Sequence, residues 1–297
     1  MSNGIASRQN KEENLIYLSA QRQIYSDLKS ISKLQFLFCI MITVALSIMQ
    51  LLINNPIIII INFCVTFFVF LFNIRFERYI KKQQEIAAYI QQIFDVDVYT
   101  MKWVEGYFCK KKNVDSDISI KSNKYIQKFR NFDDFKNWYS IPYDALPLNI
   151  GTYYCQKESI TWDKKLRKIT KWVYLSLIFL LGISIIIYCV MSNKLAIDMI
   201  FIMVIFSPLF QYCISKINNL SEDIIRIDEM FRQNLCIEEI IETSGEIEEY
   251  EIYNLQKLIY EHRKSCLPIS DFIYKLFKNK YQNEASLSAN YIKKNTK

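Results

Sequence analysis

The chain has 297 residues, of which 51% are hydrophobic and 23% are charged, and its formal net charge is +7. Five glycines and five prolines are few for a protein with many turns, so an all-β fold is disfavoured and long helices are expected. The eight cysteines are dispersed without a Cys-x-x-Cys pair and the chain has one histidine, which excludes the usual zinc and redox motifs. We therefore expect a mainly α protein with no metal, no cofactor and no catalytic residue.

The first predicted elements are an amino-terminal helix and an apolar hairpin. Residues 1–33 are charged and amphipathic, which argues against a cleavable signal peptide and predicts a helix from about Glu13. Residues 34–74 contain no charged residue and no histidine over forty-one positions, enough for two helices of membrane-spanning length. An Asn-Asn pair interrupts this run before Pro56, which suits the first turn of a new helix. The stretch therefore predicts a transmembrane hairpin and its tip.

The middle segment, residues 75–171, is mixed in character. It opens as a helical continuation of the second span. Residues 95–108 place apolar side chains at alternating positions, which permits either a short strand or an irregular packed turn. Residues 109–123 are polar and predict a loop, after which the chain returns to a helix that enters the third span.

The second apolar hairpin, residues 172–214, repeats the first in kind and brings the predicted number of transmembrane helices to four. Fifteen Lys and Arg residues lie within fifteen residues of the other span ends, whereas only Lys194 lies at a hairpin tip. By the positive-inside rule, both tips face outward. Both termini, the middle segment and the tail from residue 215 are therefore expected in the cytoplasm, in a multi-pass protein.

The carboxy-terminal segment, residues 215–297, predicts a helical cytoplasmic region. Apolar residues at alternating spacings of three and four follow the fourth span, namely Ile217, Leu220, Ile224, Ile227 and Phe231. This seam suits either packing on the chain's own cytoplasmic region or a junction between subunits. An acidic break at residues 242–251 precedes another helix, and the polar tail is expected to be partly disordered after Asn283.

Several polar side chains lie inside the predicted spans, where they need hydrogen-bond partners or water. Asp198 is the only ionisable one and is the first candidate for a functional group. The other candidates are Asn62, Ser184, Ser207 and Gln211. Either these residues bond between helices, or several subunits turn them toward a shared pore. Pro208 would supply a kink and a hinge in the fourth span.

Five stretches along the chain carry a family resemblance. They are RQN at 8–10, LSAQRQIYSDLK at 18–29, FDVDVYTMKW at 94–103, CQKESITWDKKLR at 155–167 and LQKLIYEHRKSCLPISDFIY at 255–274. Together, and in this order, they resemble the S-4TM family of pore-forming effectors with four transmembrane helices. Those effectors are associated with the SMODS nucleotidyltransferases of bacterial anti-phage systems, and the resemblance covers nearly the whole chain.

The resemblance implies a bacterial inner-membrane effector in cyclic-oligonucleotide signalling of the CBASS kind, which harms its own host cell when infection is sensed. The implied activity is oligomerisation and permeabilisation of the membrane rather than enzymatic catalysis. The expected partners are the lipid bilayer, further copies of the chain and a cyclic oligonucleotide made by a partner nucleotidyltransferase. No direct binding of DNA or RNA is expected.

We expect basic and aromatic side chains in those stretches to bind the ligand. An arginine fork suits a phosphate, and an indole can stack on a nucleobase. The candidates are Arg8, Arg22, Trp103, Trp162, Arg167 and Arg263. The alternative for the two tryptophans is a core position, and for Arg167 it is contact with lipid phosphates. His262 has basic neighbours and predicts a surface histidine.

The sequence leaves two other classes of function open. The first is a non-conducting sensor or interaction module that recruits a partner, in which the spans serve merely as an anchor. An integral-membrane enzyme would need converging acid, base or metal groups at membrane depth, where Asp198 stands alone in the sequence.

Overall fold

A computed structural model describes residues 2–53, 55–193 and 195–295. Within these residues the chain forms helices joined by turns and contains no strand, which confirms the predicted mainly α fold. Asn54 and Lys194, which belong to the two predicted hairpin tips, lie outside the described residues.

Nine α-helices follow one another in the described chain. They are α1 Ile5–Arg8, α2 Glu12–Phe36, α3 Ile42–Leu52, α4 Pro56–Val98, α5 Asp115–Phe129, α6 Leu148–Met191, α7 Ala196–Ser244, α8 Glu249–Ser265 and α9 Asp271–Asn295. A π-helical turn, Leu37–Met41, joins α2 to α3. Two 3₁₀ turns, Asp133–Phe135 and Ile141–Ala145, lie between α5 and α6.

Four helical segments are long and apolar enough to cross a membrane, which confirms the predicted number of spans. They are Glu12–Gln50, Pro56–Val98, Leu148–Met191 and Ile197–Ser244. Each predicted span is therefore part of a longer helix that continues into a charged sequence.

Residues next to the hairpin tips explain where α4 begins and where α6 ends. α4 begins at Pro56 as predicted, and the Asn55 side chain accepts a hydrogen bond from the backbone N–H of Ile57 at 2.9 Å. This contact satisfies one of the free N–H groups of the first helical turn. After α6, Asn193 has a φ of 46°, a left-handed conformation that asparagine tolerates better than most residues and that ends the helix.

The chain divides into two compact units. We call Leu28–Ile80 with Lys168–Glu222 the apolar unit, and Met1–Asp27, Lys81–Arg167 and Asp223–Lys297 the polar unit. The helices α2, α4, α6 and α7 each contribute residues to both units. The predicted span boundaries at residues 33, 74, 171 and 214 stay predictions.

The apolar unit exposes large apolar side chains. Phe63 is 74% exposed and Val190 is 71% exposed, and many other apolar residues of the four spans are also exposed. Exposed apolar surface of this extent suits a lipid environment. Inside the unit, Phe36 packs on Tyr212 at a ring-centroid distance of 5.0 Å. The Thr43 hydroxyl donates to the carbonyl of Ile40 at 2.8 Å, which satisfies a backbone group beside the π-helical turn.

The polar unit has its own hydrophobic core, built from parts of most helices. Phe94, Tyr153, Ile237 and Leu255 are fully buried in it. Ile227 of the predicted seam is also buried there and Phe231 packs against this core, which favours packing within the chain. Gly245, with a φ of 71°, separates α7 from α8 at the predicted acidic break.

The structure corrects two local predictions and decides between two alternatives for a third segment. Residues 109–123 are not one loop, because α5 begins at Asp115 and buries Ile118, Ser122 and Tyr125 along one face. For residues 95–108 the irregular turn is confirmed and the strand is not, since α4 continues to Val98 and a turn follows. The tail beyond residue 283 is helical to Asn295.

Candidate functional site

The candidate site is a buried network of charges in the polar unit, and its first centre is Asp95. Its carboxylate is fully buried, and its Oδ1 accepts a hydrogen bond from the Tyr139 hydroxyl at 2.6 Å. Its Oδ2 accepts from Gln256 Nε2 at 2.9 Å and pairs with the guanidinium of Arg263. Arg263 also donates to the Ser159 hydroxyl at 3.2 Å. These contacts join α4, α6 and α8, and they satisfy a carboxylate that would be costly to bury alone.

The second centre of the network is Arg167, which is 2% exposed. Its Nε donates to Asp163 at 2.8 Å and its Nη1 donates to Asp223 at 2.5 Å. Asp223 also pairs with Arg226 and accepts the backbone N–H of Leu267 at 3.0 Å. Because its donors are already bonded to protein groups, Arg167 is held as a structural cation.

His262 is buried rather than at the surface, so that prediction is wrong. It is 5% exposed, and its Nε2 lies 2.8 Å from Asp163 Oδ2. Burial alone would lower the pKa of His262, but the neighbouring Cys266 and Asp163 raise that pKa to about 9. Burial alone would likewise raise the pKa of the Asp163 carboxyl, which Arg167 and His262 hold well below its usual range. The imidazole is therefore protonated at neutral pH, and its Nε2–H donates to Asp163.

A groove of about 440 Å³ adjoins this network in the polar unit. It is lined by α4, α7 and α8 through Lys81, Glu85, Arg226, Glu229, Met230, Leu258, Glu261, His262, Lys264 and Ser265. Its volume lies within the range of small-molecule sites. Apart from the basic residues around His262, no sequence pattern predicted this groove.

The ligand-binding candidates divide into several clusters. Arg167 and Arg263 belong to the buried network. Arg22 pairs with Asp271 at 3.4 Å and lies 4.7 Å from the centroid of the Tyr274 ring, and Trp162 also packs on Tyr274, at 6.2 Å. The other two candidates lie elsewhere.

Arg8 and Trp103 are held by backbone groups. The Nε of Arg8 donates to the carbonyl of Val98 at 2.7 Å. The indole N–H of Trp103 donates to the carbonyl of Cys109 at 2.9 Å, and its ring packs against Tyr89. Most of the six candidates therefore have structural contacts, and their binding roles stay predictions.

The polar side chains predicted inside the spans differ in their hydrogen-bond partners and in their exposure. Asn62 donates to Gln50 Oε1 at 2.7 Å, which links the first two spans. Asp198 accepts the backbone N–H of Leu195 at 3.2 Å, at the start of α7. The exposed Ser184 hydroxyl donates to the carbonyl of Leu180, in its own helix, at 2.7 Å. Ser207 is half-buried and Gln211 is exposed.

Metal chemistry receives no support from the arrangement of side chains. Among residues 2–53, 55–193 and 195–295, no group of three His, Cys, Asp or Glu side chains could hold a metal ion. The arrangement is a buried set of paired charges beside a groove of mixed charge.

The four long apolar helices and the charged helical unit define the class of protein, a multi-span helical membrane protein. The family model described as SMODS-associating 4TM effector domain matches residues 3–292. The chain therefore belongs to the SMODS-associating 4TM effector family. Comparison with curated proteins and with solved structures finds no match.

Proposed function

We propose that this effector is part of a bacterial anti-phage system, in which it oligomerises and permeabilises the inner membrane when activated. The activating signal in this proposal is a cyclic oligonucleotide from a partner SMODS nucleotidyltransferase. Family membership over nearly the whole chain, together with four spans, is the observation that carries the proposal. Four spans exceed what anchoring requires.

Gln211 supports the oligomeric part of the proposal. Its side chain is exposed on α7 within the apolar unit, and the described contacts include no hydrogen bond to it. An amide facing hydrocarbon without a partner is unfavourable, so such groups usually face water or another helix. A second subunit or a water-filled pore would provide that partner.

The helices that belong to both units support the activation step. A ligand need only bind one arrangement of the polar unit more tightly than another to shift the equilibrium between closed and open states. Because α2, α4, α6 and α7 each contribute residues to both units, a change in the polar unit has a covalent route into the spans.

Dye leakage from liposomes that contain the purified protein tests this function. Addition of cyclic di- or trinucleotides should start leakage, and Gln211→Ala should change its rate. Ile214→Ala is the matched control, because Ile214 is also exposed on α7 and is apolar. Absence of leakage under every activated condition would refute permeabilisation, and equal effects of the two variants would refute the role of Gln211.

A non-conducting sensor or interaction module is the second candidate. It is favoured by the exposed apolar side chains of α9 in the polar unit, namely Phe272, Leu276, Leu287 and Tyr291. Apolar surface of this kind suits contact with a protein partner. If host toxicity persists after the four spans are replaced by an unrelated membrane anchor, this second function is correct and the first is wrong.

A further inference from the structure

The groove in the polar unit adjoins a network of closely spaced cations. Arg167, Arg226 and the protonated His262 share two carboxylates, those of Asp163 and Asp223. Cations that line a cleft attract anionic ligands. Two of the three cations, Arg226 and His262, line the groove.

Both groove-lining cations have unused hydrogen-bonding atoms. In the part of the chain that the structure describes, Arg226 Nε is buried without a hydrogen-bond partner, and His262 Nδ1 is buried with only the weakly bonding Cys266 side chain beside the imidazole. In a protonated imidazole and in a guanidinium, both atoms are donors. A small adjustment of either side chain would let it donate to an anionic oxygen in the groove.

The remaining lining residues indicate what else the ligand contains. Glu261 is already paired with Lys264 and Glu229 with Arg232, whereas Lys81 and Glu85 make no polar contact among the described residues. Lys81 adds a second positive charge for an anion, and Glu85 can accept an N–H or O–H donor. Met230 and Leu258 supply an apolar surface.

We propose that this groove binds a phosphate ester, with Arg226 and Lys81 contacting the phosphate and Met230 and Leu258 contacting the organic part. Glu85 favours an ester that also carries hydrogen-bond donors, as a nucleotide does. The volume of about 440 Å³ suits one nucleotide unit, so a larger cyclic ligand would extend beyond the groove. This inference deepens the proposed function, since it rests on that function for the identity of the activating signal. A free nucleotide and a lipid headgroup share the phosphate chemistry, and the test separates them.

The single histidine of the chain makes binding directly observable. Full-length protein without a histidine tag, labelled with ¹⁵N only in histidine and held in detergent, reports on His262 alone by NMR. Titration with AMP should shift the imidazole resonances saturably, whereas adenosine, which lacks the phosphate, should not. Lyso-phosphatidylglycerol is the lipid arm: a shift with this lipid and not with AMP would assign the groove to a headgroup. No shift with either phosphate ester would overturn the proposal.

Two neighbouring lysines provide matched variants. Lys81→Gln removes a groove cation, while Lys82→Gln removes an exposed cation that does not line the groove. We expect Lys81→Gln to weaken AMP binding about fivefold, as for a partly solvated charge contact, and Lys82→Gln to leave it unchanged. Equal weakening by both variants would show nonspecific attraction and refute the site.

Leakage and binding fail independently, which keeps the two proposals distinguishable. Saturable binding at His262 in a protein that never leaks would refute permeabilisation and leave the groove assignment intact. Nucleotide-dependent leakage that Lys81→Gln does not alter, with no shift at His262, would refute the groove assignment and leave permeabilisation intact.

Discussion

The apolar unit and the polar unit place their side chains in opposite ways. In the apolar unit, large apolar side chains such as Phe63 and Leu180 are exposed. In the polar unit, charged groups such as Asp95 and Arg263 are buried beside one another. The two units therefore follow different rules of burial because they face different solvents. Lipid accepts exposed apolar side chains, whereas water favours an apolar core, which can also contain paired charges.

The largest effect is expected where a buried charge of the polar unit loses its partner. Asp95→Leu leaves the guanidinium of Arg263 without a carboxylate, which should lower the free energy of unfolding by about 3–5 kcal/mol. Urea unfolding in detergent, followed by tryptophan fluorescence, measures the change. The double variant Asp95→Leu, Arg263→Met should recover most of the loss, because no unpaired charge remains buried.

The control for that prediction is the exposed pair of Asp133 and Lys136 in the same unit. Asp133→Leu should change the free energy of unfolding by less than about 1 kcal/mol, since water solvates the remaining lysine. Similar losses in Asp133→Leu and Asp95→Leu would contradict the importance given to burial.

The second prediction compares one substitution at equally exposed leucines of the two units. Leu180 in the apolar unit is 60% exposed and Leu276 in the polar unit is 64% exposed. Leu180→Lys should disfavour membrane insertion by about 3 kcal/mol, because it places a charge near the middle of a span. Leu276→Lys should change stability by no more than about 0.5 kcal/mol. The yield in the membrane fraction measures both, and equal yields would refute lipid contact at Leu180.

The third prediction concerns pH and the polar unit. The pKa of His262 is raised to about 9 from the ordinary value of 6.5, so the folded state binds its proton more tightly than the unfolded state. This contribution is fully present below pH 6.5 and is lost as the pH rises through 9. The free energy of unfolding should therefore fall by about 2 kcal/mol between pH 6 and pH 8. In His262→Gln this part of the pH dependence should vanish, and an unchanged profile would show that another group titrates.

The smallest effect is expected for amide pairs in the two units. Asn62 and Gln50 bond at 2.7 Å in the apolar unit, and Gln256 and Gln92 bond at 2.9 Å in the polar unit. A double-mutant cycle should give a coupling of roughly 0.6 kcal/mol for the first pair. The same cycle for Gln256 and Gln92 should give a larger coupling of about 1 kcal/mol, because both amides are fully buried. A larger coupling for the apolar pair would reverse the comparison.

Local sequence patterns predicted the spans well and some polar segments poorly. The position of Pro56 predicted the start of α4, because a helix start is decided by neighbouring residues. The helix α5 was missed because its buried apolar face is narrow: mostly polar positions separate Ile118 from Tyr125, and Ile120 between them is exposed. The helical tail was missed for a similar reason, since buried Ala289 is a small residue that gives little hydrophobic signal.

The sequence by itself determined the class of this protein, because the length of an uncharged run and the charges beside it are local properties that decide whether a helix enters lipid. Only the tertiary structure decided the partners of the buried charges. Arg263 meets Asp95 across 168 residues of sequence, and His262 meets Asp163 across 99 residues. Such pairs depend on how distant helices pack, so neither the buried histidine nor the groove beside it could be read from local patterns.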